Sequence, residues 1–434
     1  MKISNIKIEN FRCFQNLSVK FDPQMNVIAG NNGAGKSSVL DAVSIGIGSF
    51  LLGIEEVSAP SISKTDTRFV SYEVGSVIDR QPQLPVKIEC KGIIDKNEFT
   101  WSRQLNTVSG RTTYGDAVSI KDIAFFKQNS IRKGDNKTQL PIIAYYGTGR
   151  LWARKNVKNN VIEKNLNNRL SGYIDCLSSV SNEKLMIKWF QKMTMQELQA
   201  GEKIPELTAV ETAVAQCYQG SGIIADNVKV RFNIKSNELE ITYNDKDGIK
   251  QKHPFHELSD GFKNTLSLVA DIAYRMAVLN PQFLSDVLRK TRGVIIIDEI
   301  DQHLHPKWQK NILNNLMTIF PKVQFIVTTH SASVISSAKK NQLIVLDDGM
   351  TYYFNDEIYG KDVNSVLSEI MGVNARPDDV EREFSKFYDY LEDEEYNKAR
   401  EVLGELSKLL GLSDNGVISA TVALDFETDN GELW

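Results

Sequence analysis

Cysteine is scarce in this sequence, and the four cysteines among its 434 residues lie far apart. They form no Cys-x-x-Cys pair, so neither a zinc knuckle nor the disulfide framework of a small secreted domain is indicated. Long apolar runs are lacking too: none approaches the ~18 residues of a membrane span, and the amino-terminal MKISNIKIENF alternates like a strand. We therefore expect a cytoplasmic protein with reduced thiols and no membrane contact.

An excess of positive charge is also missing. The chain has 51 basic and 55 acidic residues and a net charge of −4, which argues against a protein that coats nucleic acid over its whole surface. Basic residues do cluster in two stretches, Lys127 to Lys137 and Arg150 to Lys164, and the second contains Trp152. Such a stretch can follow a nucleic-acid backbone or can be ordinary solvated surface, and the sequence leaves both open.

A glycine-rich stretch, Gly30 to Ser37, follows the apolar residues Val27 to Ala29 and precedes a helical pattern. It fits Gly-x-x-x-x-Gly-Lys-[Ser/Thr], in which glycines let backbone N–H groups turn inward around phosphate and the next helix adds its positive end. Lys36 can neutralise the β- and γ-phosphates, and the Ser37 hydroxyl can ligate Mg²⁺. The pattern predicts a phosphate-binding loop.

Two later apolar strands end in residues suited to nucleotide hydrolysis. The stretch Gly293 to Asp301 reads GVIIIDEID and brings Asp298 and Glu299 to a strand tip. One carboxylate there can hold Mg²⁺ while the next polarises a water. The strand Val323 to Thr328 is followed by His330, which could hydrogen-bond a γ-phosphate. A helical crossover between parallel strands would bring both tips to one edge of a sheet.

A fourth motif, LSDGFK, begins at Leu258, at the start of a helix predicted over Ser259 to Leu279. Its Ser259 and Gly261 could bind an anion through a hydroxyl, backbone N–H groups and the helix dipole. Such a helix start is common and is weak evidence for a binding site on its own. Its position in the sequence, between the phosphate loop and the acidic strand tip, is what makes it a candidate.

The other patterns suggest how the chain is divided. Alternation over residues 2–21 and 69–105 predicts an antiparallel sheet beside the nucleotide site. Residues 1–355 are expected to form one α/β domain, with a helical insertion at about 156–225. Residues 356–434 are expected to form a helical C-terminal extension with an acidic tail, since 413–434 carries five acids and no Lys or Arg.

Taken in order, these motifs resemble the ATPase heads of the ABC superfamily, in particular the RecF, SMC and OLD-like heads. The stretches IKIENFRCF, GNNGAGKS and DEIDQHLHP carry that likeness. A closer resemblance, to the PtuA-type ATPases of Septu antiphage systems and to retron-associated ATPases, rests on LPIIAYYGTGRLW, LSDG, DEIDQHLHPKWQ and IYGKDVNSVLSEIMG. It covers most of residues 1–377 and implies an ABC-type P-loop ATPase head that binds ATP and Mg²⁺.

In that family two heads enclose two nucleotides, each between one phosphate loop and the signature motif of the other head. The resemblance implies that Asp298 supports the metal, Glu299 activates water and His330 senses the γ-phosphate. Ser259 and Gly261 would reach the nucleotide of the partner head. The remaining nucleotide contacts would come from Gly30, Asn31, Asn32, Gly33, Ala34, Gly35, Lys36, Ser37 and Ser38, with Arg12 from the N-terminal hairpin and Asp301 from the loop that links the two sites.

The family also has a glutamine that contacts the metal. Gln139 is the candidate for it here, with Gln128 second, so the expected metal set is Ser37, Asp298 and Gln139. The signature departs from the family pattern, because Asp260 stands where many signatures have glycine and no glutamine follows the next residue.

The likeness further implies an ATPase that assembles with itself, as a dimer or larger oligomer, and regulates a separate nuclease of the HNH type in antiphage defence. No His-rich nuclease motif is visible in the sequence. A second hypothesis is an ATP-dependent DNA-binding clamp of the RecF/SMC type acting in DNA repair, which the two basic stretches favour. DNA or RNA is a candidate ligand under either hypothesis.

Overall fold

The computed structural model describes residues 1–151, 168–178, 183–220, 226–354 and 356–429. Two units make up the chain, Met1–Lys361 and Asp362–Trp434. The boundary predicted from the sequence, after residue 355, lies six residues earlier. Parts of the helical insertion predicted at about 156–225 lie outside the described residues, as does the second basic stretch from position 152 onward.

Strands dominate the larger unit. Those described are β1 (Lys2–Phe11), β2 (Phe14–Lys20), β3 (Met25–Ala29), β4 (Phe69–Val74), β5 (Val77–Pro82), β6 (Val86–Ile94), β7 (Asn97–Leu105), β8 (Ile142–Tyr146), β9 (Asp226–Asn233), β10 (Glu238–Asn244), β11 (Lys250–Pro254), β12 (Gly293–Ile297), β13 (Val323–Thr328), β14 (Leu343–Asp347) and β15 (Met350–Tyr353). Its α-helices are α1 (Lys36–Ile47), α2 (Val118–Arg132), α3 (Glu183–Ala200), α4 (Pro205–Gln219), α5 (Asp260–Leu279), α6 (Val287–Lys290), α7 (Pro306–Gln309), α8 (Ile312–Ile319) and α9 (Ala332–Ile335).

A six-stranded sheet positions the site, with the strand order β15-β14-β3-β13-β12-β8. Its strands are parallel except β15. Strands β12 and β13 are buried along their whole length, which explains their unbroken apolar sequences. The carboxyl ends of parallel strands lie on one edge of a sheet. The glycine-rich loop after β3 and the turns after β12 and β13, which contain Asp298 and His330, therefore begin at the same edge.

An antiparallel sheet of order β2-β1-β6-β7 flanks α1 on one side, while β13 lies on the other. The Trp101 indole N–H of β7 donates to the carbonyl of Gly46 in α1 at 2.9 Å. A Cβ on Gly46 would lie 2.3 Å from the sulfur of Cys90, so this close approach requires glycine. The flanking sheet was predicted, although β4 pairs only with β5, in a separate hairpin.

Helices cover the other side of the larger unit, where α5 contacts β8 and α4. The sequence predicted this helix well, and Ser259 precedes its first residue as N-cap. The sequence did not predict α2, and only its last residues, from Lys127 on, belong to the first basic stretch. The predicted α/β class, with its flanking antiparallel sheet, is confirmed.

One stretch, Lys36–Gly53, has the length and apolar composition to cross a membrane, but 78% of it is buried inside the protein. It consists of α1 and the turn that follows, so packing between the two sheets explains its composition.

The smaller unit is helical, as predicted. It contains α10 (Val363–Ser365), a π-helical turn (Val366–Ile370), α11 (Asp378–Glu392), α12 (Tyr396–Leu410) and α13 (Asn415–Asp429). The last three helices enclose their own apolar core, which includes Phe384, Phe387, Leu403 and Leu424. Most of the acidic tail is therefore an ordered helix.

Candidate functional site

A cavity of about 370 Å³ opens at the carboxyl edge of the six-stranded sheet. Its walls come from the N-terminal hairpin, the glycine-rich loop and the tips of β12 and β13. The residues that line it are Arg12, Cys13, Asn32, Gly33, Gly35, Lys36, Ser37, Ser38, Asp298, Glu299 and His330. The three motifs that the sequence placed at strand ends therefore meet in one space.

The glycine-rich loop needs its glycines for backbone shape. Gly30, Gly33 and Gly35 have φ angles of 146°, 83° and 94°, a region that L side chains rarely adopt. A Cβ on Gly30 would also lie 2.2 Å from the carbonyl oxygen of Leu346. Gly35 caps α1, which begins at Lys36, so the unpaired N–H groups of a helix start belong to this cavity.

Lys36 lies across the loop. Its Nζ donates to the carbonyl oxygens of Gly30 at 2.9 Å and Asn31 at 3.0 Å, and the residue is 7% exposed. Burial lowers the pKa of Lys36, and the carboxylates of Asp298 and Glu299 partly oppose that effect. A partly desolvated cation held beside backbone N–H groups is suited to polyphosphate.

Hydroxyls fix both carboxylate oxygens of Asp298. Ser37 Oγ donates to one at 2.9 Å, and Thr328 Oγ1 donates to the other at 2.5 Å. The Asp298 backbone N–H donates to the carbonyl of Tyr146 in β8 at 2.8 Å. These contacts join the ends of β8, β12 and β13 at one residue that is 6% exposed.

The donor set at this point fits Mg²⁺. Ser37 Oγ and the Asp298 carboxylate oxygen are hard oxygen ligands, and their 2.9 Å separation is close to the edge of an octahedron with bonds of ~2.1 Å. Within the described ranges, no group of three or more His, Cys, Asp and Glu side chains could hold a metal alone. A Mg²⁺ ion here would therefore share its ligands with phosphate or water, as is usual for this metal.

Glu299 lies beside Asp298 in an unusual backbone conformation. Its φ is 46°, and its N–H donates to Thr328 Oγ1 at 2.8 Å. A positive φ in a residue with a side chain costs of order 1–3 kcal/mol and persists only where neighbours enforce it. Here Thr328 enforces it, and Glu299 lines the cavity as a result.

Asp301 and Arg12 are held by other side chains. Thr329 Oγ1 donates to Asp301, next to His330, and Asp301 does not line the cavity. Arg12 lines the cavity wall, and its guanidinium donates to Asp41 at 2.6 Å and to Asp66 at 2.9 Å. Burial lowers the pKa of Arg12, but these two carboxylates outweigh burial and raise it.

The predicted signature residues lie outside this cavity. Ser259 and Asp260 are exposed at the start of α5, whereas Gly261 is buried. A Cβ on Gly261 would lie 2.2 Å from the carbonyl oxygen of His303, so the motif packs against the loop that follows Glu299.

Neither glutamine lies at this cavity. Gln139 precedes β8 at the opposite, amino edge of the sheet, five strand residues or about 16 Å from the tip at Tyr146, and lines a different cavity. Gln128 is buried in α2, where its side-chain oxygen accepts from the N–H of Glu55 at 2.9 Å. The structure therefore contradicts the assignment of Gln139, or of Gln128 in its place, as a metal ligand.

Sequence reasoning missed three contributors. Thr328 could have been found from strand register, because Ile297 pairs with Val327 and the next residues of β12 and β13 must then be neighbours. Burial raises the pKa of Tyr145, and Asp41 and Asp298 raise it further, so its hydroxyl stays protonated beside them. The exposed thiol of Cys13 lines the cavity without any motif that points to it.

Comparisons with known proteins identify the family of the chain. A family model described as an AAA domain matches residues 5–221, and one described as an AAA domain, putative AbiEii toxin, Type IV TA system, matches residues 228–336. The Retron Ec83 probable ATPase of Escherichia coli is 24% identical over 99% of this chain and 89% of its own length. The Septu protein PtuA of Bacillus thuringiensis is 25% identical over 94% of each chain.

Among solved structures, the SMC head bound to the C-terminal winged-helix domain of ScpA aligns with a TM-score of 0.48 and 17% identity, over 82% of this chain and 98% of that one. The predicted resemblance to retron-associated and Septu PtuA ATPases is confirmed by the two relatives. Because one family model spans half of its length, the chain belongs to the AAA domain family, and it is an ATPase.

Proposed function

We propose that this protein is the ATP-binding and ATP-hydrolysing subunit of an antiphage defence complex, in which it regulates a separate nuclease. The observation that carries the enzymatic part is the cavity that unites Lys36 and Ser37 with Asp298, Glu299 and His330. The defence role is supported by the relatives, which are named as a retron ATPase and a Septu protein. A cytoplasmic location is compatible with it.

In this proposal residues 30–38 surround the phosphates of ATP. Lys36 leaves the two loop carbonyls and neutralises the β- and γ-phosphates. Ser37 and Asp298 would hold Mg²⁺, which when bound would neutralise charge on the phosphate oxygens. Thr328 donates a hydrogen bond to the second oxygen of Asp298 and so fixes the orientation of this carboxylate.

Glu299 acts as the general base for hydrolysis. Its strained backbone, held by Thr328, directs the side chain to the cavity rather than to the flank of the strand. A carboxylate in this position can take a proton from the attacking water. His330 leaves the neighbouring strand at the same edge and donates a hydrogen bond to the γ-phosphate. Arg12 also lines the cavity, although its guanidinium is already paired with Asp41 and Asp66.

Self-assembly is the second part of the proposal. No described residue of α5 lines the cavity of its own chain, and Ser259 is exposed at the free end of that helix. A second copy would supply its Ser259 hydroxyl and helix N-terminus across the nucleotide. Asp301, fixed by Thr329 next to His330, would link the two sites.

The C-terminal unit offers a surface for the partner. Residues 362–434 contain 18 Asp and Glu but only 6 Lys and Arg. Helix α13 exposes Ile418, Val422 and Phe426, four residues apart and therefore on one side of the helix. The occupant that fits is a nuclease subunit with a basic rim around an apolar patch, of the HNH type by family resemblance.

The test begins with the complex itself. The tagged protein is purified from its native host with and without ATP, and the mass and composition of the complex are measured. The proposal is supported if a stoichiometric nuclease copurifies and is lost when Val422 and Phe426 are changed to serine. Exchange of the exposed Tyr352 in the other unit is the matched control and should leave the nuclease bound. A protein that purifies without any nuclease under both conditions overturns the regulatory role.

The alternative, a DNA-binding clamp, receives less support from the described residues. In the first basic stretch, Lys127 pairs with Asp95 at 2.6 Å and Arg132 pairs with Glu55 at 2.5 Å, so these two cations are already neutralised. The clamp hypothesis requires DNA affinity that depends on ATP and on salt without any companion protein. A lone dimer that gains DNA affinity on ATP addition would favour it.

A further inference from the structure

A second and larger cavity, of about 770 Å³, lies at the opposite edge of the six-stranded sheet. We call it the amino-edge cavity because its walls include residues just before β8, β12 and β13. The start of β1 and the turn between β6 and β7 also line this cavity. Neither the motifs nor the proposed function uses it.

Four cationic side chains line this cavity: Lys2, Lys96, Arg292 and Lys322. Among the described residues, Asp95 is the one carboxylate in the lining, and it is already paired with Lys127 at 2.6 Å. In the part of the chain that the structure describes, none of the four cations forms an ion pair within 4.0 Å. A chain with a net charge of −4 thus gathers four cations without a short ion pair at one place.

Three of the four cations, Lys2, Arg292 and Lys322, are close enough to affect one another. Burial lowers the pKa of Lys2, Asp22 raises it, and the charges of Arg292 and Lys322 lower it further. Like charges gathered in a concave space focus a positive potential there, which attracts an anionic ligand. Mutual repulsion destabilises the empty cavity, and an anion would relieve it.

Buried hydrogen bonds fix the wall of this cavity. Asn280, which is fully buried, holds Leu140 by two bonds: its side-chain oxygen accepts from the Leu140 N–H at 2.9 Å and its amide donates to the Leu140 carbonyl at 2.8 Å. A third bond, at 3.3 Å, reaches Thr291 beside Arg292. The apolar part of the lining is supplied by Ile93 and Phe283.

We propose that the amino-edge cavity binds a nucleoside phosphate, either at the end of a single-stranded nucleic acid or as a free nucleotide. The cations bind the phosphates. Lys290 Nζ lies over the ring of Phe283, 6.0 Å from its centroid, and a base can stack on the other face of that ring. A cavity of 770 Å³ has the volume of an ordinary small-ligand site. The cavity that contains Lys36 and Asp298, which we call the ATP cavity, is a separate site, because β12 and β13 run from one cavity to the other.

The test uses a ten-nucleotide single-stranded DNA with a fluorescent label at its 3′ end, titrated by anisotropy without ATP or Mg²⁺. The double variant Arg292→Ala with Lys322→Ala is expected to bind at least tenfold more weakly. Its slope of log Kd against log salt should fall by about 1.4, since each lost contact to single-stranded phosphate removes about 0.7. The exposed pair Lys246→Ala with Lys250→Ala is the matched control and should change neither value.

Further arms identify the ligand. Phe283→Ala should weaken oligonucleotide binding roughly fivefold or more if a base stacks there, but should not change competition by inorganic phosphate. Competition by dTMP at equal concentration identifies a free nucleotide as a source, and competition by oligonucleotide alone identifies the nucleic-acid end. Wild-type affinity in the double cation variant, with an unfolding midpoint equal to the control's, would overturn the proposal. Lys36 lies in the other cavity, so Lys36→Ala should bind the oligonucleotide with wild-type affinity. Binding at the amino-edge cavity is therefore tested independently of the ATPase assignment.

Discussion

The hydroxyl of Tyr146 donates a hydrogen bond of 2.8 Å to a carboxylate oxygen of Asp271, in the interior of the larger unit. The same oxygen accepts from Nε of Arg275 at 2.7 Å. The backbone carbonyl of Tyr146 accepts from the N–H of Asp298. One tyrosine thus connects α5, whose first turn carries the signature motif, with the carboxylate at the tip of β12.

The buried pair in this network predicts a large stability effect. Asp271→Asn preserves the shape but leaves the charge of Arg275 without a counter-charge, and loss of one member of a buried pair costs about 3–5 kcal/mol. Chemical denaturation measures the change in the free energy of unfolding. Asp286→Asn is the matched control, because Asp286 forms an exposed pair with Lys290 at the same spacing and its loss should change stability far less. Equal losses in both variants would contradict the network's role.

Glu211 in α4 predicts a pH dependence of stability. Burial raises the pKa of Glu211 from 4.5 to about 7; Glu197 raises it further, whereas Arg231 and Lys203 lower it. The folded protein therefore binds more protons than the unfolded chain between about pH 4.5 and 7. Stability falls as the pH rises through that window and levels off above it, by about 1–3 kcal/mol in total.

Glu211→Gln should remove this dependence and make the protein more stable than wild type at pH 8. Denaturant unfolding at a series of pH values is the measurement. Glu202→Gln, at an exposed position before the same helix, should keep the wild-type profile. A Glu211→Gln profile parallel to that of the wild type would show that this carboxyl does not titrate in the window.

Gly261→Ala should destabilise the protein, because the added methyl group meets the backbone carbonyl of His303, which cannot move as a side chain can. Overpacking of this kind costs about 1–3 kcal/mol. Gly404→Ala, in an exposed turn of α12 with open space around it, is the matched control and should stabilise by up to about 1 kcal/mol. Thermal unfolding of both variants gives the comparison, and stabilisation of both would disprove the close packing.

Glu299→Gln should bind ATP but hydrolyse it more slowly by about two to four orders of magnitude, as expected when a general base is removed. Phosphate release under saturating ATP measures the rate, and a fluorescent ATP analogue measures binding. Near-normal turnover would exclude Glu299 as the base.

Lys36→Ala should abolish nucleotide binding, since no other lysine or arginine from the glycine-rich loop lines the cavity in the described residues. Titration with the same fluorescent analogue tests this. Lys64→Ala, at an exposed position outside the cavity, serves as control. Retained tight binding in Lys36→Ala would mean that the loop has only a structural role.

Most of the ATP cavity could be predicted from the sequence because most of its lining residues, unlike Cys13, belong to short local motifs. An apolar strand that ends in Asp298 or in His330 places its next residues at the carboxyl edge, whatever the rest of the fold does. The assignment of Gln139 to the metal was wrong because Gln139 precedes its strand, and residues before a strand of this sheet lie at the amino edge.

Features assembled from distant segments could not be predicted in this way. The cations of the amino-edge cavity come from four separate segments and share no spacing. Helix α2 was missed because only Ile120, Ala124 and Gln128 are buried along it, while Phe125 and Phe126 are exposed, so its apolar residues do not form one stripe.

The contacts of Lys36 with Gly30 and Asn31 determine which anions can enter the loop. Since the ammonium group already has two carbonyl acceptors, an incoming anion gains only the difference between its own attraction and theirs. Orthophosphate, with one small cluster of charge, gains little by that exchange. A triphosphate would reach Lys36, Ser37 and Asp298 together, so the two carbonyl bonds of Lys36 favour a long polyphosphate over a single phosphate.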